Sequence, residues 1–163
     1  MSERYWLLKS EPDVFSIEDL RRRPRRTEPW NGVRNYQARN YLRQMQAGDP
    51  AFFYHSSCQP PGIAGLARIA RTAYPDHTAL DPRDPYHDPR ATAEHNPWIM
   101  VDVRWEATFS RLITLDELRA HPELAALPLL RRGNRLSVMP LSAAEWACIM
   151  TLASAAAGDA KTL

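Results

Sequence analysis

A chain of 163 residues, 44% of them hydrophobic, is long enough to fold as one domain around its own core, and only two cysteines exclude a disulfide-rich scaffold. The net charge of +2 is too small for a protein that holds nucleic acid by phosphate neutralisation alone. No apolar run approaches the length of a membrane span and the first residues do not resemble a secretory signal, so we expect a cytoplasmic protein.

The first third of the chain predicts one strand and two helices. Residues 4–9 are typical of a strand, which Pro12 ends because proline lacks a donor and restricts the residue before it. Residues 16–19 resemble a capping box, and we expect a short helix to about residue 23. After a loop bracketed by Pro24 and Pro29, Asn35 can cap a second helix over residues 36–47.

The middle of the chain predicts a hairpin, a long loop and a long strand. Residues 51–56 and 63–73 are typical of consecutive antiparallel strands joined by a proline- and glycine-containing loop. Residues 74–97 contain five of the fourteen prolines, which indicates an irregular loop of the length that often serves a site. Residues 98–109 alternate apolar and polar side chains and predict a half-buried strand.

The last third predicts two more helices and a short strand. Capping boxes at residues 114–117 and 142–145 indicate helices that begin at residues 115 and 143, with a strand over residues 134–139 between them. This order predicts an α+β fold in which a mixed or antiparallel sheet curls into a small barrel. We expect a single domain over residues 1–156 and a frayed tail over residues 157–163.

Catalytic patterns are weak in this sequence. His55 and Ser56 are neighbours on a predicted strand and would point to opposite faces, so His55 cannot easily activate Ser56. The aspartates of residues 76–88, with His77 and His87, could be imagined as a metal cluster, but the prolines among them indicate turn-forming aspartates. We therefore predict no catalytic residue, no metal and no cofactor. An enzyme that uses His55 or one of these aspartates on nucleotides or nucleic acids is the alternative.

The segment before the second predicted helix combines groups that suit a nucleobase. An indole, a glycine, a guanidinium and two carboxamides occur together there, and they can stack on a base and read its polar edge. The candidate residues of this segment are Trp30, Asn31, Gly32, Val33, Arg34 and Asn35. The alternative is purely structural, with Trp30 in the core, a tight turn at residues 31–32 and Asn35 as a helix cap.

Further candidates lie at the ends of predicted strands, where small barrels place ligand groups. Those that follow the first and second strands are Lys9, Ser10, Glu11, Tyr54, His55 and Ser56. A basic segment leads into the last strand, and its guanidinium groups could hold a phosphate while its glycine allows close approach; it comprises Arg131, Arg132, Gly133, Asn134, Arg135 and Ser137. Its alternative is a cationic surface turn, and the residues favour neither.

Seven segments together resemble one protein family. They are YWLLKSEP at 5–12, WNGVRNYQARN at 30–40, GDPAFFYHSSC at 48–58, GIAGLARI at 62–69, AYPD at 73–76, NPWIMVDV at 96–103 and PLLRRGNRLSV at 128–138. In this order they resemble EVE-domain proteins over nearly the whole chain. The resemblance implies a PUA-like bent mixed β-barrel with surrounding short α-helices, similar to YTH and ASCH domains.

The resemblance also implies a function. An EVE domain would bind, without catalysis, a modified cytosine in DNA or a methyladenine in an aromatic pocket, and a base in duplex DNA would have to be flipped out. Trp30 would form the wall, with Trp98 as a second wall or a core residue. Polar contacts would come from Lys9, Ser10, Asn31 and Asn35, and the lining would be completed by residues 54–56. The arginines of the basic segment would approach the sugar-phosphate backbone or brace the floor of the pocket.

Several alternatives stay open at the level of sequence. A general PUA-type RNA-binding protein, in which phosphate contacts dominate, would show the same basic segment. The expected partner is modified DNA, modified RNA or a free modified nucleoside, and a partner nuclease could complete the function. The sequence does not indicate an oligomeric state.

Overall fold

The computed structural model describes residues 4–161, with side chains described to residue 155. Six strands form one sheet in the order β2-β5-β4-β3-β1-β6. The strands are β1 (Tyr5–Ser10), β2 (Thr27–Pro29), β3 (Pro50–His55), β4 (Gly62–Pro75), β5 (Ile99–Thr114) and β6 (Val138–Leu141). The helices are α1 (Ile17–Arg22), α2 (Tyr36–Gln44), α3 (Leu115–Arg119) and α4 (Ala143–Lys161).

The sheet is mixed because one of its pairs is parallel. Strands β1 and β3 run side by side in the same direction, with Ser10 in register with His55, whereas the other pairs are antiparallel. Register shifts interrupt β3 and the long β4–β5 pair, and such bulges bend a sheet and increase its twist. The predicted α+β fold with a mixed sheet and short helices is confirmed.

Both faces of the central strands are covered. Alternating residues of β1 belong to different core clusters, with Trp6 and Leu8 in one and Leu7 in the other, as the period of two in a strand requires. Helices α1 and α2 pack in the first cluster, while α3 and α4 pack in the second. None of the described helices has the length and apolar character that crossing a bilayer requires.

The helix starts follow the predicted caps. Ser16 and Asp19 form a reciprocal capping box at α1, Thr114 caps α3, and the Ser142 hydroxyl accepts from the Glu145 N–H at the start of α4. Helix α4 is assigned to Lys161. The frayed tail predicted over residues 157–163 lies where side chains, and beyond residue 161 the backbone, are outside the described residues, so it stays a prediction.

Several predicted boundaries were wrong, and one strand was missed. Strand β5 runs to Thr114, five residues beyond its predicted end, because it pairs with β4 as far as Gly62. Helix α2 ends at Gln44 because Met45 is extended and the Asp49 carboxylate accepts from the Gln46 N–H at 2.9 Å, which holds the chain in a turn. Strand β6 begins at Val138 because the Asn134 carboxamide folds the preceding residues into a loop. The three-residue strand β2, which pairs with β5, was not predicted because so short a segment has no detectable period.

Candidate nucleic-acid interface

Three segments distant in sequence meet at one edge of the sheet. Because β1 and β3 are parallel, their carboxyl ends are neighbours, and the Ser56 N–H donates to the Ser10 carbonyl at 2.9 Å. On the other side of β1, the Lys9 N–H donates to the Ser137 carbonyl at 2.9 Å. The predicted candidate strand ends therefore lie next to one another, although some of their side chains point away from this edge.

Trp30 joins this edge from the segment that follows β2. Its N–H donates to the Val101 carbonyl at 2.7 Å, which continues the pairing of β2 with β5. The indole packs edge-on against Phe53 at 5.5 Å and against Phe15 at 6.2 Å between ring centroids. Only 8% of Trp30 is exposed. Trp30 is thus a core residue, as the structural alternative held, and its exposed part also lines a cavity.

The cavity at this edge has a volume of about 630 Å³. Apolar and aromatic side chains make up one group of its lining: Val14, Phe15, Pro29, Trp30, Val33 and Tyr86. Small polar residues and glycine make up a second group: Ser10, Asn31, Gly32, Ser56, Ser57 and Ser137. Charged residues complete it: Lys9, Glu11, Arg23, Glu28 and Arg135. A flat aromatic surface, hydrogen-bonding groups and cations therefore share one space.

Lys9 has a distinctive environment among the charged residues. Arg23 pairs with Glu28 at 3.1 Å, so these two charges largely cancel. The Lys9 ammonium, by contrast, has no hydrogen-bond or salt-bridge partner among the residues that the structure describes. Lys9 is half-buried, and this burial lowers the pKa of its amine from the ordinary value. Such a group is a donor for a ligand oxygen.

A buried carboxylate holds the Trp30 segment in place. Asp76 is fully buried; one of its oxygens accepts from the Gly32 N–H and from Arg34 Nη1, both at 2.9 Å, and the other accepts from the Thr78 N–H and hydroxyl. Burial raises the pKa of Asp76, but the hydrogen bonds from Thr78, Gly32 and Arg34 together lower it below its ordinary value. The carboxylate is therefore charged and fully engaged.

Arg34 has a different role from the one predicted. Besides Asp76, its guanidinium donates to the Thr78 hydroxyl at 3.2 Å and to the Tyr86 carbonyl at 2.9 Å. These bonds connect the Trp30 segment to the loop before β5, and Arg34 is not among the described residues that line the cavity. The guanidinium positions a wall of the cavity, and its donors are committed within the protein.

The predicted site loop supplies an aromatic wall that the sequence analysis did not name. The ring of Tyr86 lies against Gly32, where an added Cβ would come within 2.7 Å of it. Gly32 also has φ of +81°, a conformation that L side chains rarely adopt. Tyr86 is 40% exposed. Two features of the sequence pointed towards such a contact. One is the length of the loop that contains Tyr86, and the other is the glycine two residues after Trp30, which leaves room for a ring.

The aspartates of this loop shape the backbone. The carboxylates of Asp81, Asp84 and Asp88 each accept from the N–H two residues later in the chain, which is the geometry of an Asx turn. The Asp84 turn fixes the N–H of Tyr86 at 2.9 Å and so presents the ring to the cavity. The prediction that these aspartates form turns is confirmed.

Two predicted site residues of β3 lie elsewhere. Tyr54 is 3% exposed and belongs to the core cluster that includes α4, because strand alternation turns it to the opposite face; burial raises its pKa to about 12. The His55 Nε2 accepts from the Ile17 N–H at 3.1 Å, which fixes the start of α1, and burial lowers its pKa. Neither side chain is among the described residues that line the cavity.

Two more predicted residues are held in structural contacts outside the lining. The Asn35 carboxamide accepts from the Ala38 N–H at 2.9 Å, so Asn35 caps α2. Trp98 is buried, donates to the Asp88 carboxylate at 2.7 Å and packs against the ring of Tyr36. Trp98 is therefore a core residue, which is one of the two roles that the resemblance allowed.

The basic segment is divided in the same way. Arg135 and Ser137 line the cavity, whereas Arg131, Arg132 and Gly133 are exposed and lie outside the described lining. Asn134 has a structural role, since its amide donates to the Pro128 carbonyl at 2.7 Å and its oxygen accepts from the Leu136 N–H. One arginine of the three thus enters the cavity, while the other two are available to a ligand only on the surface.

Several lining residues were missed. They are Val14, Phe15, Arg23, Glu28, Pro29, Ser57 and Tyr86. Val14 and Phe15 lie in the turn after β1, and the backbone N–H groups of both residues donate to the Glu11 carbonyl. Most of the missed residues lie outside the segments that carry the family resemblance, and the pairing that brings them to the cavity is long-range.

The family can be assigned from the whole chain. The model of the EVE domain matches residues 4–152. The chain belongs to the EVE-domain family. Thymocyte nuclear protein 1 of Rattus norvegicus is 45% identical over 168 residues, a match that covers 93% of this chain and 74% of the relative.

Solved structures agree with this assignment. The crystal structure of human THYN1 protein in complex with 5-methylcytosine-containing DNA is 43% identical, has a TM-score of 0.89, and covers 93% of this EVE-domain chain and 98% of that chain. A YTH domain of Zygosaccharomyces rouxii, solved with N6-methyladenosine RNA, has a TM-score of 0.53 at 15% identity, covering 93% and 86% of the two chains. The similarity to the YTH domain shows a shared fold and nothing more. The PUA-like fold class expected from the sequence is confirmed.

Proposed function

We propose that this EVE-domain protein binds a modified nucleobase in DNA, with 5-methylcytosine as the first candidate, and that it acts as a reader without catalysing a reaction. The observation that carries the proposal is the cavity of about 630 Å³, which combines the Trp30 and Tyr86 rings with a Lys9 ammonium that none of the described residues pairs with. The complex of the human relative with 5-methylcytosine-containing DNA supports this choice of ligand.

The lining matches the two sides of such a base. Its volume lies within the range of about 300–1,000 Å³ that is usual for small-molecule sites, so a base flipped out of the stack fits. The aromatic rings offer stacking area, and Phe15 and Val33 offer apolar contact to a methyl group. Burial of the methyl group against these apolar side chains would make 5-methylcytosine bind more tightly than cytosine.

Polar groups of the cavity suit the base edge and the backbone. Lys9 can donate to a carbonyl oxygen, while the Ser10 hydroxyl donates to the Phe15 carbonyl at 2.6 Å and so keeps its lone pairs to accept from an amino group. Cytosine presents both of these complementary groups. Arg135, exposed at the cavity, is placed to meet a phosphate.

The non-enzymatic reading is supported by the state of His55. A general base needs a free lone pair beside the group that it activates. The Nε2 lone pair of His55 is occupied by the Ile17 N–H at 3.1 Å, and the side chain is outside the described lining of the cavity. The best sequence candidate for a catalytic base is thereby engaged in the fold.

A direct titration tests the proposed function. Fluorescence anisotropy would compare DNA oligonucleotides that carry one 5-methylcytosine, one N6-methyladenine or no modification, together with an RNA of the same sequence. We expect the 5-methylcytosine DNA to bind at least about tenfold more tightly than unmodified DNA, a difference of about 1.4 kcal/mol. Equal affinities with a steep salt dependence would instead indicate a general phosphate-binding protein and refute the reader.

Tyr86→Ala is the variant that tests the cavity. Because the ring is 40% exposed, its removal leaves the core intact, and base stacking is worth about 1–3 kcal/mol, so affinity for the modified oligonucleotide should fall about 5- to 150-fold. Tyr36→Ala, which removes a tyrosine that is 54% exposed and outside this cavity, is the matched control. Equal effects of the two substitutions would contradict the assignment.

Lys9→Met tests the polar side of the same cavity. The methionine keeps the length of the side chain but removes the ammonium, so we expect weaker binding to modified DNA in the same titration. Arg132→Met, which removes an exposed arginine outside the lining, is its control. If both variants lose affinity equally and the loss disappears at high salt, Lys9 acts only through general electrostatic attraction.

A further inference from the structure

A second group of chemically active side chains lies apart from the cavity. His121, Glu123 and Cys148 bring an imidazole, a carboxylate and a thiol together, and one ligand atom from each lies within 4.8 Å of the others. None of the three lines the cavity, and Cys148 packs against the core cluster of α3 and α4. This histidine–glutamate–cysteine group takes no part in the proposed reading of a base.

Two rigid elements present these side chains. The His121 N–H donates to the Leu118 carbonyl at 3.2 Å and the His121 carbonyl accepts from the Leu124 N–H at 3.0 Å. Glu123 lies in the short 3₁₀ helix Pro122–Leu124, whose Leu124 is fully buried. Cys148 is part of α4, next to the fully buried Ile149. The backbone of each residue is therefore fixed, while the side chains reach the surface.

The distances are close to those of a metal site. In tetrahedral zinc sites the bonds to nitrogen, oxygen and sulfur are about 2.0–2.3 Å, which places the ligand atoms about 3.3–3.8 Å apart. His121 Nδ1 and Glu123 Oε2 are already 3.9 Å apart. The Glu123 side chain is 67% exposed, so a change of rotamer can bring its carboxylate closer to the other two ligand atoms.

The three ligand types select the metal. A thiolate with an imidazole suits zinc or another late divalent metal, whereas calcium and magnesium prefer oxygen ligands alone. A thiolate and a carboxylate within 4.8 Å of one another would both be drawn to a divalent cation placed between them.

We propose that His121, Glu123 and Cys148 bind a zinc ion, with water as the fourth ligand. The ion would join the turn after α3 to α4 and stabilise the docking of that helix. Sequence patterns for zinc sites have ligands in closely spaced pairs, and Cys148 is too distant from His121 to form one, so the sequence alone does not indicate this site.

Cobalt binding tests the proposal, because a Co²⁺–thiolate bond produces an intense near-ultraviolet absorption. The untagged full chain, freed of metal with EDTA, would be titrated with Co²⁺ and then with Zn²⁺ in competition. We expect one saturable site in the unmodified protein and in Cys58→Ser, which is the matched control because Cys58 is the other free, half-buried cysteine. Cys148→Ser should lose the absorption.

The same variants give a second readout and define refutation. Zn²⁺ should raise the unfolding temperature of the unmodified protein and of Cys58→Ser but not of Cys148→Ser. If Cys148→Ser does not fold, the exposed Glu123→Gln replaces it, with an affinity loss of at least about tenfold expected. The absence of a saturable site in the unmodified protein, or a cobalt spectrum unchanged by Cys148→Ser, would overturn the proposal.

Discussion

Asp76→Asn should destabilise the protein and disorder one wall of the cavity. In the folded protein both carboxylate oxygens accept two hydrogen bonds each, and a backbone N–H, from Gly32 or from Thr78, points at each oxygen. In asparagine, an NH₂ group replaces one of the two oxygens. Whichever oxygen it replaces, this NH₂ donor then faces the backbone N–H of Gly32 or of Thr78, and no hydrogen bond can form. The substitution therefore breaks contacts on one side and removes the charge that pairs with Arg34.

The magnitude follows from these contacts. Hydrogen bonds to a charged group contribute about 1.5–3 kcal/mol each, and breaking a buried ion pair costs about 3–5 kcal/mol. Arg34 is 22% exposed and retains Thr78 and Tyr86 as partners, which reduces the loss. We expect a decrease of about 2–4 kcal/mol in the free energy of unfolding, or about 5–15 °C in Tm for a chain of this size.

Urea unfolding followed by tryptophan fluorescence measures this effect. Asp81→Asn is the control, because Asp81 makes an Asx turn in the same loop but its side chain is 43% exposed; its effect should stay below about 0.5 kcal/mol. Asp76→Asn should also weaken binding of modified DNA, since the Gly32 N–H loses its acceptor. A midpoint equal to that of Asp81→Asn would refute the structural role of Asp76.

Acid provides an independent check of the same group. Because the pKa of Asp76 in the folded protein lies below its ordinary value of 3.8, its contribution to stability is complete above that value. The contribution is lost as the pH falls from there through the lower folded-state pKa. The difference in unfolding free energy between the unmodified protein and Asp76→Asn should therefore shrink in that acidic range and be constant near neutrality.

Three further substitutions have defined outcomes. Gly32→Ala should cost about 1–2 kcal/mol in urea unfolding because of its φ of +81°, and should weaken base binding by displacing the Tyr86 ring. Trp6→Phe should lower stability by about 1–3 kcal/mol on thermal unfolding, because buried Asp49 loses its 2.9 Å indole donor. Burial lowers the pKa of His55 below its ordinary value of 6.5, so the unfolding free energy should fall as the pH drops through 6.5 towards that lower pKa, and should fall less in His55→Gln. Unchanged stability in the first two, or equal pH dependence in the third, would contradict these assignments.

Local chemistry made much of the fold predictable. Capping boxes are short and specific, so the starts of α1, α3 and α4 were predicted from a few residues each. The alternation along β5 was equally clear. Helix α2, however, ends three residues early because of Asp49, whose carboxylate also accepts from the Trp6 indole, and such a long-range contact leaves no local pattern.

The cavity was predictable as a location but not in its composition. The ends of β1 and β3 and the Trp30 segment were marked by glycine, tryptophan and polar residues, and pairing brings them together. Within each segment, the strand period and the hydrogen bonds decide which side chain faces the cavity. Thus Lys9 lines it and Tyr54 does not, and Arg34 is committed to Asp76.

The strand pairing around β1 also determines when the cavity can exist during synthesis. Ser137, in one wall of the cavity, accepts a backbone hydrogen bond from Lys9. Strand β6, which follows it, pairs with β1, so the two strands are separated by most of the sequence. In a nascent chain one edge of β1 therefore stays without its strand partner until β6 has left the ribosome. Contacts of such long sequence separation slow folding. The cavity is complete only after the residues up to β6 have been synthesised.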